Sequence, residues 1–370
     1  MKTCSASICI ALIISLLSCK KQQSSQPEAK LQAGDKTVTT ETVKPFLITD
    51  TVQFDTDDPA VWINPTDPAQ SLVIGTDKEA NGGLYVFNLT GKIIPEKTKK
   101  LQRPDNVDVE YGLRLNGKPT DIAVTTERLT HKLRIYALPD MQPLDNGGVE
   151  VFAGETGPEF RSLMGIALYK NKAGKIYAIV GRKSGPTNGT YLWQYLLEDD
   201  GQGQVKATLV RKLGQYSGKK EIEAIAVDDA LGYVYYSDEG VGVRKYYADP
   251  EKGNQELALF ATTGFTEDHE GISIYQLTDS TGYILVSDQQ ANQFHIFPRE
   301  GSASNPHQHS LIKVIKVATK ESDGSETVSV PLNAYFKHGL FIAMSADKTF
   351  QFYRWEDIAG KDLQKINVTE

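Results

Sequence analysis

Short runs of hydrophobic residues alternate with polar residues after position 45, and Gly, Asn, Asp and Pro separate these runs. An alternation with a period of two predicts β-strands, and no helical periodicity of any length is present. One run, in which apolar and aromatic residues alternate, recurs at intervals of roughly 50 residues. Its copies occupy residues 84–89, 133–138, 191–195, 243–247, 294–297 and 350–353.

Further apolar runs precede this one in each unit. A second run lies before each copy, at residues 72–76, 121–125, 176–181, 233–237, 283–287 and 340–344. A third run begins most units, at residues 60–63, 165–169, 224–227 and 271–275. Such units of three or four strands predict an all-β fold, a six-bladed β-propeller over residues 45–370. The alternative is a β-sandwich with accidental spacing, but sandwiches rarely repeat one strand at nearly constant distance.

The N-terminal residues indicate export and attachment. An apolar run at residues 8–17 follows Lys2, and its length suits a secretory signal better than a spanning helix. It ends in Leu16, Leu17, Ser18 and Cys19, which resembles the bacterial lipobox. We therefore predict a lipoprotein signal peptide over residues 1–18, lipidation of Cys19, and a flexible tether over residues 19–44. The predicted location is the cell envelope of a bacterium, on the periplasmic or surface side. An ordinary signal peptide is the alternative.

The composition narrows the possible partners. The chain has 47 Asp and Glu against 40 Lys and Arg, a formal net charge of −7. A nucleic-acid binder needs a basic face, so this balance argues against that class of partner. A hydrophobic content of 40% is ordinary for a globular protein and argues against a long disordered chain. We expect a monomer that touches the membrane only through its N-terminal lipid.

Charged residues lie at equivalent places in successive units. Loops from all blades of a propeller converge at one end of its channel, so these residues can form one site. Acids and amides flank the inner strands at Asp57, Asp58, Asn106, Asp108, Glu223, Asp238, Glu239, Asp268, Glu270, Asp288 and Gln289. Cations follow the second strand in the first three units, at Lys78, Arg128, Arg182 and Lys183.

Clustered carboxylates repel one another unless protons or a cation compensate their charge. Ca²⁺ takes about six to eight hard oxygen ligands, which matches this density of acids. A Ca²⁺ cluster opposite Lys and Arg predicts a receptor for a highly anionic ligand, most simply phosphate. The alternative is that these acids are turn residues on solvated loops.

A series of short segments carries a family resemblance. They are residues 57–62 (DDPAVW), 75–78 (GTDK), 106–111 (NVDVEY), 115–118 (LNGK), 121–123 (DIA), 221–223 (EIE), 228–229 (DD), 267–272 (EDHEGI) and 355–359 (WEDIA). In this order and spacing the chain, from about Asp55 to its end, closely resembles the β-propeller phytases, the calcium-dependent alkaline phytase family of bacteria.

The resemblance implies a 3-phytase-type phosphoric monoester hydrolase that acts on phytate, myo-inositol hexakisphosphate, with several Ca²⁺ ions. In that family a Ca²⁺-bound water attacks phosphorus directly, and the substrate spans a cleavage pocket and an affinity pocket. The implied active-site Ca²⁺ ligands are Asp57, Glu223, Glu239, Asp268, Glu270 and Gln289. Asp58 with Asn106 and Val107 would serve a more structural Ca²⁺. The implied phosphate contacts, which together with Glu223 form the catalytic set, are Lys78, Arg128 and Lys183.

Some positions depart from the family pattern. Glu79 stands where the family often has a second Lys, and Met164 stands where it has a Tyr that contacts phosphate. Arg182 replaces a Gly before Lys183, and we expect it to add a substrate contact. The Asp-rich stretch before the last blade is reduced to residues 321–326 (ESDGSE), which bears on one Ca²⁺ site.

Two rival functions remain. One is another Ca²⁺-dependent propeller hydrolase, of the phosphodiesterase or lactonase type. The other is a non-catalytic binding propeller that Ca²⁺ stabilises.

Overall fold

The structure is a computed structural model, which describes residues 37–368. Six small antiparallel sheets form the blades of a β-propeller, as predicted. The strands, from the innermost outward, are Thr56–Trp62, Leu72–Asp77, Gly83–Asn88 and Lys99–Lys100 in blade 1; Pro104–Leu115, Lys118–Glu127, Lys132–Leu138 and Gln142–Pro143, with Val149–Glu150 also paired to the third strand, in blade 2; Leu163–Lys170, Ile176–Arg182, Leu192–Asp199 and Val205–Leu213 in blade 3. They continue as Ile225–Asp228, Tyr233–Asp238, Gly242–Tyr247 and Ala258–Phe260 in blade 4; His269–Gln276, Gly282–Asp288, Gln293–Pro298 and Lys313–Val317 in blade 5; Ser325–Val328, Leu340–Ser345 and Thr349–Arg354 in blade 6.

Two N-terminal strands complete the last two blades. Leu47–Ile48 is the outermost strand of blade 6, antiparallel to Thr349–Arg354, and Thr37–Val43 runs parallel to Lys313–Val317 at the edge of blade 5. The predicted boundary at residue 45 is therefore too late, and residues 37–43 belong to the propeller. The Thr and Val residues of this segment are β-branched, which favours extended backbone, although the mostly polar composition of the segment predicts a tether.

The core consists of layers between neighbouring blades. Six hydrophobic clusters each combine residues of two adjacent blades, and the set runs round the ring from blades 1 and 2 to blades 6 and 1. Second strands such as Leu72–Asp77 and Ile176–Arg182 are buried at every residue because a blade covers each face. This explains why these strands are nearly continuous apolar runs in the sequence.

One end of the ring collects the charged residues. Thr56 pairs with Asp77 and His269 pairs with Asp288, so the start of an inner strand lies beside the end of the second strand. Segments before inner strands and loops after second strands therefore meet at the same end, which we call the charged end.

Helices contribute little to the described part of the chain. Trp355–Ala359 is an α-helix, and the 3-10 turns are Pro68–Gln70, Pro95–Lys97, Arg128–Thr130, Pro250–Lys252 and Gln289–Ala291. Across residues 37–368, no helix combines the length and apolarity needed to cross a bilayer. The predicted signal peptide, Cys19 and the tether up to residue 36 lie outside the described residues, so those assignments stay predictions.

Candidate active site

A cavity of about 620 Å³ opens at the charged end. Its lining residues are Lys78, Glu159, Lys183, Ser184, Tyr216, Lys220, Glu221, Glu223, Glu239, Asp268, Glu270, Gln289 and Asp323. The structure thus brings together seven of the predicted site residues, from blades 1, 3, 4 and 5. We call this space the charged cavity.

Lys78 stands among carboxylates in the charged cavity. Its Nζ lies 2.8 Å from Asp57 Oδ1 and 2.5 Å from Asp323 Oδ2, and Asp57 is fully buried. Burial lowers the pKa of Lys78, but Asp57, Asp323 and Glu223 outweigh burial and hold that pKa well above its ordinary value. Lys78 is therefore positively charged at neutral pH.

Lys183 supplies a second cation to the same cavity. Its Nζ lies 2.6 Å from Glu221 Oε2, and about a third of its side chain is exposed. Because exposed ion pairs contribute little to stability, this ammonium can exchange Glu221 for an anionic ligand.

Arg128 lies beside the charged cavity without lining it. Its guanidinium contacts the Asp105 carboxylate and the Met164 sulfur, and Nε donates to the Leu163 carbonyl at 2.9 Å. Burial acts to lower the pKa of Arg128, but Asp105 and Glu223 raise it above its usual value. Met164, which replaces the tyrosine of the family pattern, thus packs against the arginine, and the predicted phosphate contact of Arg128 remains a prediction.

Arg182 requires a correction, because the structure places it inside blade 3. Its side chain is fully buried, and its guanidinium lies 4.6 Å from the centre of the Phe152 ring. It donates to Glu155 Oε2 at 2.9 Å and to the Tyr191 carbonyl at 3.0 Å. A guanidinium enclosed in this way cannot reach a ligand in the charged cavity, so Arg182 is a packing residue.

The acids of this end carry oxygens without donors. Outside the ion pair with Lys78, no hydrogen bond within the described chain reaches either carboxylate oxygen of Asp57. The buried atoms Asn106 Oδ1, Glu239 Oε1 and Glu270 Oε2 also lack a donor there. Buried oxygen atoms without donors are costly. They are the ligand type that Ca²⁺ prefers, so the residues present fit this ion.

Protonation is the other way to reduce this repulsion. Burial, together with Asp57, raises the pKa of Glu223 well above its usual value, and burial with Glu239 does the same for Glu270. Among residues 37–368 no three His, Cys, Asp or Glu side chains are already arranged to hold one metal ion. The ammonium groups of Lys78 and Lys220 contact the carboxylates instead, so the acids would have to exchange partners to bind a metal.

Asp58 faces a different space, the central tunnel of about 260 Å³ between the inner strands. Its Oδ2 accepts the Val107 N–H at 3.1 Å, which joins blades 1 and 2. Asp108 and Glu326 line the same tunnel, and Asp108 Oδ2 accepts the Leu168 N–H at 2.7 Å. Burial raises the pKa of Asp58 far above its usual value. Asp58 and Val107, which are predicted to serve a structural Ca²⁺ together with Asn106, are therefore neighbours in the structure. Their metal role stays a prediction.

The raised carboxylate pKa values predict a stability that falls with rising pH when no metal is bound. Burial raises the pKa of Asp108 to about 7 and, together with neighbouring acids, the pKa of Glu239 and of Glu326 to about 8. Unfolded carboxyls have a pKa of about 4, so the folded state binds more protons at neutral pH. Deprotonation through these folded pKa values therefore removes stability. In excess chelator we expect the melting temperature, followed by circular dichroism, to drop as the pH rises from about 4 to about 8, the interval between the unfolded and folded pKa values. A constant or rising melting temperature over this interval contradicts the assignment.

Several residues of the site escaped the sequence analysis. The structure adds Asp105, Asp323 and Lys220 to the charged end. Asp323 lies within the shortened segment 321–326, and Asp105 directly precedes Asn106, so both stood beside recognised motifs. Lys220 had no motif to indicate it. Glu79 lines a separate cavity with Phe54, Ala80, Asn81 and Lys348.

Comparisons with known proteins agree with this arrangement. A model of the phytase family matches residues 5–366. The chain is also similar to a 3-phytase of Bacillus subtilis (strain 168), with 28% identity over 321 residues. That alignment covers 82% of this chain and 80% of the relative.

Proposed function

This chain belongs to the phytase family and is a phytate-hydrolysing phosphomonoesterase, and from that premise we propose that it releases phosphate from myo-inositol hexakisphosphate in a Ca²⁺-dependent reaction. We further propose that water attacks phosphorus directly. The observation that carries the proposal is one cavity in which two predicted phosphate-binding lysines face a set of buried carboxylates.

The lysines would bind and orient the phosphate group. An ammonium forms short charge-assisted hydrogen bonds to phosphate oxygens, and Lys78 and Lys183 enter the charged cavity from blades 1 and 3. Their positive charge stabilises the oxygens as negative charge develops on them during attack at phosphorus. Asp57 and Asp323 hold the Lys78 ammonium in place, so this charge is positioned before the substrate arrives.

The acids would hold the metal. Asp57, Glu223, Glu239, Asp268, Glu270 and Asp323 supply carboxylate oxygens, and Gln289 supplies an amide oxygen. When bound, Ca²⁺ would neutralise phosphate charge and make water more acidic. Burial and neighbouring acids raise the pKa of Glu223 and of Glu270 well above the usual value, so a bound cation would be needed to favour their charged forms.

Direct attack by water agrees with the side chains at hand. None of the described residues that line the charged cavity is a histidine or a cysteine. A covalent phosphoenzyme commonly needs an activated nucleophile with an adjacent base. Apart from the exposed Glu159, the carboxylates of this cavity pair with lysines or lie close to one another, which favours a role in metal and water binding.

Phosphate release from phytate tests the proposal. With Ca²⁺ in excess over the substrate, we expect steady release of inorganic phosphate, measured colorimetrically, because the carboxylate cluster is then compensated and the lysines are free to bind substrate. Excess chelator should abolish release, and added Ca²⁺ should restore it. Release that persists in chelator would remove the Ca²⁺ dependence. No release at saturating Ca²⁺ would remove the catalytic proposal and favour a binding propeller.

A further inference from the structure

A third lysine, Lys220, enters the charged cavity from the loop between blades 3 and 4. Its Nζ contacts the Asp268 carboxylate. Its side chain is 46% exposed, against 25% for Lys78 and 35% for Lys183. Of these three ammonium groups, that of Lys220 is therefore the most accessible to a ligand that enters from solvent.

The loop that carries Lys220 has a fixed backbone. The Tyr216 hydroxyl donates to the Lys220 carbonyl, and the Tyr216 ring packs 4.3 Å from the ring of Tyr191. The Ser217 N–H and hydroxyl donate to Asp238 at 3.0 and 2.6 Å. A ligand that binds Lys220 would consequently order only the side chain, which keeps the entropic cost of binding low.

The partner of Lys220 is replaceable. An ion pair that is nearly half exposed on one side contributes little net free energy because water competes for both charges. A phosphate group carries more charge than one carboxylate and offers three acceptor oxygens. Phosphate can therefore take the Lys220 ammonium from Asp268, which is itself a predicted metal ligand.

The charge on the two sides of the cavity is unequal. On the blade 1 side, Lys78 is followed by the acid Glu79, whose side chain lines a different cavity. On the side of blades 3 and 4, Lys183 pairs with Glu221 and Lys220 directly precedes Glu221 in sequence, and all three line the charged cavity. A polyphosphorylated ligand whose reacting group lies at Lys78 would thus find its second cationic contact toward blades 3 and 4.

We propose that Lys220 binds a second phosphate group of the substrate, next to Lys183, and so selects polyphosphorylated over monophosphorylated ligands. This assignment rests on the proposed function, since it takes phytate as the substrate of the charged cavity. It makes Lys220 a specificity-determining residue that lies outside the group undergoing hydrolysis.

Binding of a non-hydrolysable polyanion tests this assignment independently of catalysis. Calorimetry with myo-inositol hexasulfate at saturating Ca²⁺ should show that Lys220→Ala raises the Kd about fivefold or more. The Kd of inorganic phosphate should stay within about twofold, because a single anion needs only the Lys78 region. Lys220→Arg should retain hexasulfate affinity. Lys219→Ala is the matched control, since Lys219 is an exposed neighbour on the same loop that does not line the cavity.

Three outcomes would overturn the assignment. One is an unchanged hexasulfate Kd in Lys220→Ala, and another is an equal loss for hexasulfate and phosphate, which would make Lys220 a positioning residue for Asp268. The third is an equal loss in Lys219→Ala, which would indicate a non-specific charge effect. A wild-type protein that binds hexasulfate through Lys220 but releases no phosphate from phytate would overturn the proposed function, and Lys220 would then be a polyanion contact without a role in substrate selection.

Discussion

Lys78→Ala is expected to lower kcat/KM for phytate by about 100- to 1000-fold, the range typical for loss of a positioned group that stabilises developing charge. The Lys78 ammonium is held by Asp57 and Asp323 inside the charged cavity, and its pKa is raised by these carboxylates, so it is a permanent charge in the site. Alanine removes that charge and leaves both acids without their cation. Initial rates of phosphate release at saturating Ca²⁺ measure the loss.

A surface lysine in the same kind of pair provides the control. Lys92 Nζ lies 2.7 Å from Asp50 Oδ1, but its side chain is 68% exposed and does not line the charged cavity. Lys92→Ala should keep wild-type rates, because surface ion pairs contribute little. Circular dichroism with Ca²⁺ present should show that Lys78→Ala is folded. Full activity of folded Lys78→Ala would mean that the charged cavity is not the catalytic site.

Glu223→Gln is expected to change activity and stability in opposite directions. Activity should fall about 100-fold or more, since the substitution removes one carboxylate from the proposed metal set. The melting temperature in chelator at about pH 8 should be unchanged or higher, because burial and the nearby Asp57 disfavour a charged Glu223. A neutral amide relieves that repulsion. This opposition is typical of functional residues that are held at a cost in stability.

Enzyme assays and thermal melts on the same preparation separate these two effects. Glu198→Gln is the matched control, since Glu198 is exposed at the outer part of blade 3 and does not line the charged cavity. It should alter neither quantity. The role of Glu223 would be rejected if its Gln variant retained full activity, and its electrostatic environment would be rejected if the metal-free variant melted at a lower temperature.

The blades could be predicted because their strands have a strict pattern. Inner and second strands such as Thr56–Trp62 and Leu72–Asp77 are buried by neighbouring blades, so each appears as a short apolar run at a fixed place in its unit. The predicted family is confirmed by the comparisons. The edge strands Thr37–Val43 and Leu47–Ile48 gave no such pattern. Their pairing partners lie in the last third of the chain, and polar β-branched residues are equally compatible with a tether.

Arg182 and Lys183 show how far sequence motifs can assign side chains to the site. They are adjacent in sequence, yet successive side chains of an extended segment point to opposite sides. Lys183 accordingly enters the charged cavity, whereas Arg182 is buried against Phe152 and Glu155. The family motif predicts a substrate contact for both residues. The packing of blade 3 shows that their environments differ.

The sequence by itself determined the six-unit architecture, the family, and the convergence of Lys78, Lys183 and the acidic residues at one end. These depend on periodicity and on equivalent positions in repeated units, which are local properties of the chain. The tertiary structure decided how the ring closes, that Asp105, Asp323 and Lys220 join the charged end, and that Arg182 does not. Those features depend on contacts between side chains of blades that are distant in sequence. A local sequence pattern does not contain information about such contacts.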